Sequence, residues 1–280
     1  MLGYEEDVDL SRIRVVASDM DFTLLADDKS MPEGMPGRIR ALEEADVVFS
    51  AASGRPLYTL QDMFPESRDR MAFITDNGAG VVCRGEVVFK SVIDAAMVQA
   101  LTEFTLDNDY GILTVCGLET CYVNERDRRY DDFFRMFYHR IEYLETLDHL
   151  PAEVNKFTIF FPGENAVAMR DQIYAPAWGQ QLSVTCGGSV WIDIMNKGVD
   201  KGTGIARLCE HLGISPADVI ALGDTDNDAE MLSYVGHGYL MANAEERMER
   251  FADFRAPSNN ERGVAQVIDA VLAARRASSR

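Results

Sequence analysis

Residues 13–25 read IRVVASDMDFTLL. Ile13 to Ser18 is a short run rich in β-branched residues without polar alternation, the pattern of a strand covered on both faces. It ends directly on two aspartates, Asp19 and Asp21. Val47 to Ala52 repeats the pattern and ends in Ser53-Gly54-Arg55-Pro56, and Arg38 to Ala45 between the two runs has helical composition. Strand, helix, strand predicts an α/β fold with a parallel sheet. Further strands are expected at Met71 to Thr75, ahead of Asp76-Asn77-Gly78, and at Val87 to Phe89. Far along the chain, Val219 to Leu222 runs straight into GDTDND, residues 223–228. Ligands of open α/β sheets bind beyond the carboxyl ends of the strands, so these distant loops can converge on one site.

The loop after the first strand can turn Asp19 and Asp21 toward one point. One carboxylate can then attack phosphorus while the other handles a proton. Taken alone, the pair reads equally well as a turn or surface feature. Asp224, Asp226 and Asp228, with Asn227 among them, repel one another unless a cation sits there. Magnesium takes hard oxygen ligands, typically one or two carboxylates alongside phosphate. Asp224 is the candidate direct ligand and Asp228 a direct or supporting one; a solvated acidic turn before a helix at Ala229 to Tyr234 is the alternative. Ser53, with backbone donors of its loop at Gly54, can hold phosphate oxygens, and Lys201 can supply positive charge. Lone serines and lysines are commonly surface residues.

The 280 residues carry a formal charge of −19, with 47% hydrophobic and 26% charged residues, a globular composition. So acidic a chain repels the nucleic-acid backbone, which argues against that partner. It also repels small anionic substrates, so a phosphate site needs a bound cation and local donors. Five cysteines without a Cys-x-x-Cys pair fit neither a disulfide framework nor a zinc site. The first residues are acidic and polar, and no stretch approaches ~18 apolar residues, so a cytoplasmic protein that neither enters nor crosses a membrane is expected.

Residues 91–187 hold 14 of the 26 aromatic residues and read as an inserted domain. Helices are expected at Ala95 to Leu106 and Tyr130 to Leu144, strands at Phe157 to Phe161 and Leu182 to Thr185, and a return to the core at Gly187-Gly188 and residues 196–204. Phe133, Phe134, Phe137, Tyr138 and Ile141 recur at helical spacing and are expected in a core rather than on a ligand platform. Arg126, Arg128, Arg129, Arg135 and Arg140 could receive a second anionic group, but pairing with neighbouring acids is the simpler expectation. The four histidines have no ligand spacing.

In this order the four elements resemble the haloacid dehalogenase superfamily, specifically its Cof-type sugar-phosphate phosphatases of subclass IIB. Asp19 and Asp21 match the first motif, Ser53 the second, Lys201 the third, and Gly223-Asp224 with Asn227-Asp228 the fourth. Asn77-Gly78-Ala79, residues 241–244 (MANA) and Gly263-Val264 add to the likeness. The resemblance implies a Rossmann-like core, residues 1–90 and 188–280, with an inserted α/β cap of C2 type, residues 91–187, that selects the substrate. It implies that Asp19 is the nucleophile and Asp21 the general acid and base, and that Ser53, Gly54, Lys201 and Asn227 hold the phosphate. Mg²⁺ would be bound by the Asp19 carboxylate, the Asp21 main-chain carbonyl and Asp224, with Asp228 supporting the metal shell. The expected substrate is a small phosphorylated metabolite, and the expected assembly a monomer or small homo-oligomer. A phosphotransferase or mutase using the same aspartyl-phosphate, and a non-catalytic phosphate-binding regulator, are the alternatives. One departure stands out: Phe22 occupies a position where the family usually carries glycine. It bears on the fit around the leaving group, or it packs beneath the loop.

Overall fold

The computed structural model describes residues 1–278. Val15–Ser18 is buried at every position and pairs in parallel with Val48–Ala52 on one side and Val219–Gly223 on the other. Burial of both faces of the strand is why the run shows no polar alternation. The strand is central to a nine-stranded sheet ordered Leu2–Gly3, Phe254–Ala256, His237–Met241, Val219–Gly223, Val15–Ser18, Val48–Ala52, Ala72–Thr75, Gly80–Cys83, Glu86–Lys90. Pairing is parallel from the first of these to Ala72–Thr75, which then pairs antiparallel with Gly80–Cys83. The chain continues from Val15–Ser18 to Val48–Ala52 on one side and from Val219–Gly223 to His237–Met241 on the other, so the strand order reverses between these two neighbours, the position where open α/β sheets bind ligands beyond the carboxyl ends of their strands. Helix Lys201–Leu212 seals one face by burying Ile205, Leu208 and Cys209 against Ala72, Ile74, Val81 and Val219. No helix among the described residues is long and apolar enough to cross a membrane.

The chain divides into two compact units: Met1–Gly54, Met63–Phe89 and the chain from Asp200 onward form the first, Arg55–Asp62 with Lys90–Val199 the second. The second unit is built on a six-stranded sheet ordered Leu182–Cys186, Trp191–Asn196, Lys156–Phe160, Ile112–Cys116, Cys121–Asn124, Ile141–Leu144. One of its faces buries Leu113, Val115, Phe157, Ile159, Ile192 and Ile194; the other buries Ile112, Cys116, Cys121, Val123, Phe160 and Trp191.

Residues 188–199, expected in the first unit, belong to the second. Trp191–Asn196 is an interior strand there, paired antiparallel with both Lys156–Phe160 and Leu182–Cys186. Gly187-Gly188 is the hairpin turn before it, with the Gly187 amide bonded to the Trp191 carbonyl. Arg55–Asp62 also joins this unit, because Tyr58, fully buried, enters its aromatic cluster and the Thr59 hydroxyl donates to the Phe137 carbonyl at 2.9 Å.

The expected helix at Tyr130 to Leu144 is mostly absent. Only Asp131–Phe134 is α-helical, after a 3₁₀ stretch at Glu125–Tyr130, and Ile141–Leu144 is a strand parallel to Cys121–Asn124. Tertiary packing overrides the helical spacing: Phe133 stacks on Phe160 at 4.5 Å and Phe134 is fully buried against the same ring and Trp191. The aromatics are core residues, as anticipated. Arg128 pairs with Glu125, Arg135 with Asp131, and Arg126 and Arg129 with Asp127, whereas Arg140 lies over the Tyr58 ring, 5.9 Å from its centroid.

Candidate active site

The carboxyl ends of the adjacent strands Val15–Ser18 and Val219–Gly223 carry Asp19 and Asp224, and the Asp19 amide is tied to the Leu222 carbonyl at 2.9 Å. Asp19, Asp224 and Asp228 are all buried, with ligand oxygens within 4.8 Å of one another. Lys201, fully buried, donates from Nζ to Asp19 Oδ1 and to Asp228 Oδ1, both at 2.6 Å. It enters the cluster as the first residue of its helix, whose start is fixed by a capping box between Asp200 and Thr203.

Asp228 uses its other oxygen, Oδ2, to accept from the amides of Asp224 and Thr225 at 2.9 and 3.1 Å. One side chain therefore holds both the lysine and the loop that presents Asp224. Gly223 makes this possible, since a Cβ there would lie 2.5 Å from that of Asp228. Asp224 Oδ1 accepts from the buried Thr23 hydroxyl at 2.7 Å.

Burial pushes the Asp19 carboxyl up to about 8, with Asp228 and Asp224 adding to the rise and Lys201 opposing it. Burial likewise raises Asp224 to about 6, Thr23 opposing and Asp228 adding. Burial works against the charge on Lys201, but Asp19 and Asp228 outweigh it and hold the ammonium protonated. When all three are ionised, three carboxylates against one ammonium leave two negative charges, which one divalent cation would neutralise. The donor set is oxygen only, as magnesium prefers, and Asp19 and Asp224 have the geometry to share an ion. Asp228, with both oxygens engaged, fits a bracing role.

These shifts fix the sign of a pH effect. The unfolded carboxyls ionise near their ordinary 3.8, whereas the folded ones keep their protons until about 6 and about 8. The metal-free protein should therefore lose stability as pH rises from about 4 to about 8. Magnesium binds the ionised form, so it should raise Tm more near pH 8 than near pH 5 in a thermal-shift titration. A Tm indifferent to Mg²⁺ at both pH values would remove the ion from this cluster.

Ser53 is buried at the end of Val48–Ala52; its amide donates to the Ile74 carbonyl at 2.9 Å, and its carbonyl accepts from the Asn77 amide at 3.0 Å. Gly54 lies against the Asn77 side chain, and Asn77 Oδ1 accepts from Asn227 Nδ2 at 3.2 Å. Asn77 thus links the Ser53-Gly54 loop to the loop of Asn227. It sits in a turn where Asp76, Asn77 and Gly78 all have positive φ, at 49, 52 and 99°. At Gly78 a Cβ would lie 2.1 Å from the Asp200 carbonyl oxygen, so only glycine lets this turn approach the start of the lysine helix.

The Asp21 carboxylate stands apart from the buried cluster. It is 34% exposed, its Oδ1 accepts from Lys29 Nζ at 3.0 Å, and its charge adds to the upward push on Asp224. Phe22 does not pack beneath the loop; it is 45% exposed, in the left-handed region at φ 62°. Sequence reasoning left out Thr23 and Lys29. Thr23 follows the aspartate pair directly, but its partner lies 201 residues away and nothing local announces it.

A family profile described as haloacid dehalogenase-like hydrolase matches residues 16–268. The chain is 32% identical over 265 residues to the 5-amino-6-(5-phospho-D-ribitylamino)uracil phosphatase YbjI of Escherichia coli, covering 93% of this chain and 96% of that one. It is 28% identical over 240 residues to the HMP-PP phosphatase of Cronobacter sakazakii, covering 82% and 85%. Among solved structures, SMU.1108c from Streptococcus mutans superposes with a TM-score of 0.82 at 27% identity, covering 93% of this chain and 99% of that one. A strand-end aspartate bound to a buried lysine, a profile match along most of the chain and these relatives agree: the chain belongs to the haloacid dehalogenase-like hydrolases, on their Cof-type phosphatase branch.

Proposed function

We propose that this enzyme hydrolyses small phosphate monoesters, sugar phosphates or related metabolites, through a phosphoryl group carried on Asp19. The observation that carries the reading is the pairing of Asp19 with Lys201 inside a buried carboxylate cluster, with Asp21 two residues on and partly open to solvent. Asp19 attacks phosphorus, the bond to the ester oxygen breaks, and Asp21 gives that oxygen its proton, so an alcohol leaves. Water then yields a proton to the Asp21 carboxylate and attacks phosphorus. The bond to Asp19 breaks, inorganic phosphate departs, and both aspartates return to their starting states.

Lys201 keeps the nucleophile oriented and offsets charge, while Ser53, the Gly54 amide and Asn227 hold the phosphoryl oxygens. The Asp19 and Asp224 carboxylates and the Asp21 main-chain carbonyl would hold Mg²⁺, with Asp228 bracing the set. Bound, the ion neutralises charge on the phosphoryl group, and positioning plus neutralisation is most of what phosphoryl transfer requires. The second unit lies between Ser53 and Lys201 in the sequence, and we assign it substrate selection. The names of the two relatives support a small phosphorylated metabolite as substrate.

Asp21→Asn tests the mechanism. General acid and base assistance is typically worth about 10² to 10⁴ in rate, so turnover of a sugar phosphate should fall at least about 100-fold. p-Nitrophenyl phosphate has a good leaving group and needs little protonation, so its first step should suffer less while the second still lacks a base. Rapid quench should then record a nitrophenol burst and phosphorylated Asp19 ahead of slow turnover. Equal losses with both esters and no phosphorylated peptide would remove Asp21 from this role, and full turnover in chelator would remove the metal.

A further inference from the structure

We propose that Phe22 and Lys29 form a clamp that positions the Asp21 carboxylate, Lys29 holding Oδ1 and so helping to set the direction of the group; this rests on Asp21 being the general acid and base. Phe22 is an unexpected residue for its backbone. A side chain with a Cβ is disfavoured at φ 62°, and such strain persists only where the surroundings impose it. Core burial does not repay it, since the ring is 45% exposed. Two contacts account for the residue instead. Its carbonyl accepts from Asn243 Nδ2 at 2.8 Å, and its ring carries the Lys29 ammonium 4.1 Å from the centroid. The same ammonium donates to Asp21 Oδ1 at 3.0 Å.

Lys29 is itself delivered by a closed turn. It has φ 67°, its amide bonds the Ala26 carbonyl at 2.8 Å, and the Ala26 amide bonds the Ser30 carbonyl at 3.1 Å. Asp27 anchors this turn through the side chains of Asn259 and Asn260, both at 2.9 Å. Two strained backbones thus bring one cation onto an aromatic face beside one carboxylate. An exposed ion pair alone contributes little to stability. What the arrangement provides is orientation: the ring restricts a flexible lysine, and the lysine restricts a carboxylate whose direction decides proton transfer. A glycine at position 22 would give the easier backbone but no surface to steady the ammonium.

Lys29→Met, Lys29→Arg, Phe22→Leu and the Lys29→Met/Phe22→Leu pair are compared with Asp21→Asn in the full chain with Mg²⁺, using β-glycerophosphate. Lys29→Met and Phe22→Leu should each lower kcat about tenfold, a part of what acid–base assistance supplies, with KM within about twofold. Lys29→Arg, which can both pair and stack, should recover kcat to within about threefold. The double variant should lose no more than either single one, because the two residues act as a unit. A crippled Asp21→Asn beside native kcat in Lys29→Met and Phe22→Leu would overturn the clamp and leave the mechanism standing. A rise in KM at unchanged kcat would make Lys29 a substrate contact and also overturn it. Native kcat in Asp21→Asn would instead remove the mechanism on which the clamp rests.

Discussion

Asp19→Asn is expected to slow phosphate release at least about 10⁴-fold and to leave no phosphorylated peptide after rapid quench. An amide has the shape of the carboxylate and can still accept from Lys201, but it cannot form the bond to phosphorus. The fold should not suffer. Burial holds the native carboxyl up to about 8, so removing it relieves a destabilising charge, and metal-free Asp19→Asn should melt no lower than the native chain near pH 8. Loss of turnover with unchanged or raised Tm would separate a missing nucleophile from a damaged structure. Near-native turnover in the purified variant would eliminate the covalent route.

Lys201→Met should damage both activity and stability. The ammonium lies between Asp19 and Asp228 with no exposure, and removing it leaves buried carboxylates without their internal cation. Breaking one side of a buried pair typically costs about 3–5 kcal/mol, which thermal or denaturant unfolding would record. At low pH the carboxyls can take up protons instead, so the deficit should be smaller near pH 5 than near pH 8, and added Mg²⁺ should recover part of it. Loss of preorganised charge should also cut turnover by about 10²- to 10³-fold. A variant as stable as the native chain at pH 8 would contradict the charge balance described for the cluster.

The chemistry was legible where a buried strand runs directly into acids. IRVVAS before Asp19 and VIAL before Gly223-Asp224 announce both the sheet and the loops, because a strand covered on both faces has a one-sided composition. Lys201 and Ser53 could be picked out only through their order along the chain, since a lone lysine or serine has no local signature. Thr23, Asn77 and Lys29 act through partners or turn geometry that no window of sequence contains. In the second unit the period of Phe133, Phe134, Phe137, Tyr138 and Ile141 suggested a long helix. The chain instead leaves the helical turn at Phe134 and re-enters the sheet at Ile141, where pairing with Cys121–Asn124 decides the outcome. Gly187-Gly188 read as the end of the insertion, but a glycine pair marks a hairpin as readily as a domain boundary, and here the next strand stays in the same sheet.

Gly78 has no side chain to offer chemistry, yet it fixes how near the Asn77 turn comes to the carbonyl of Asp200. A survey of tolerated substitutions across the chain would place it beside Asp19 in severity, for a reason unrelated to catalysis. Even alanine adds a carbon where 2.1 Å is left, so the turn and the lysine helix would have to part. The evolutionary freedom of this site is thus limited by spacing as well as reactivity: its acids can be exchanged and assayed one at a time, whereas the distance between two loops hangs on a single hydrogen atom.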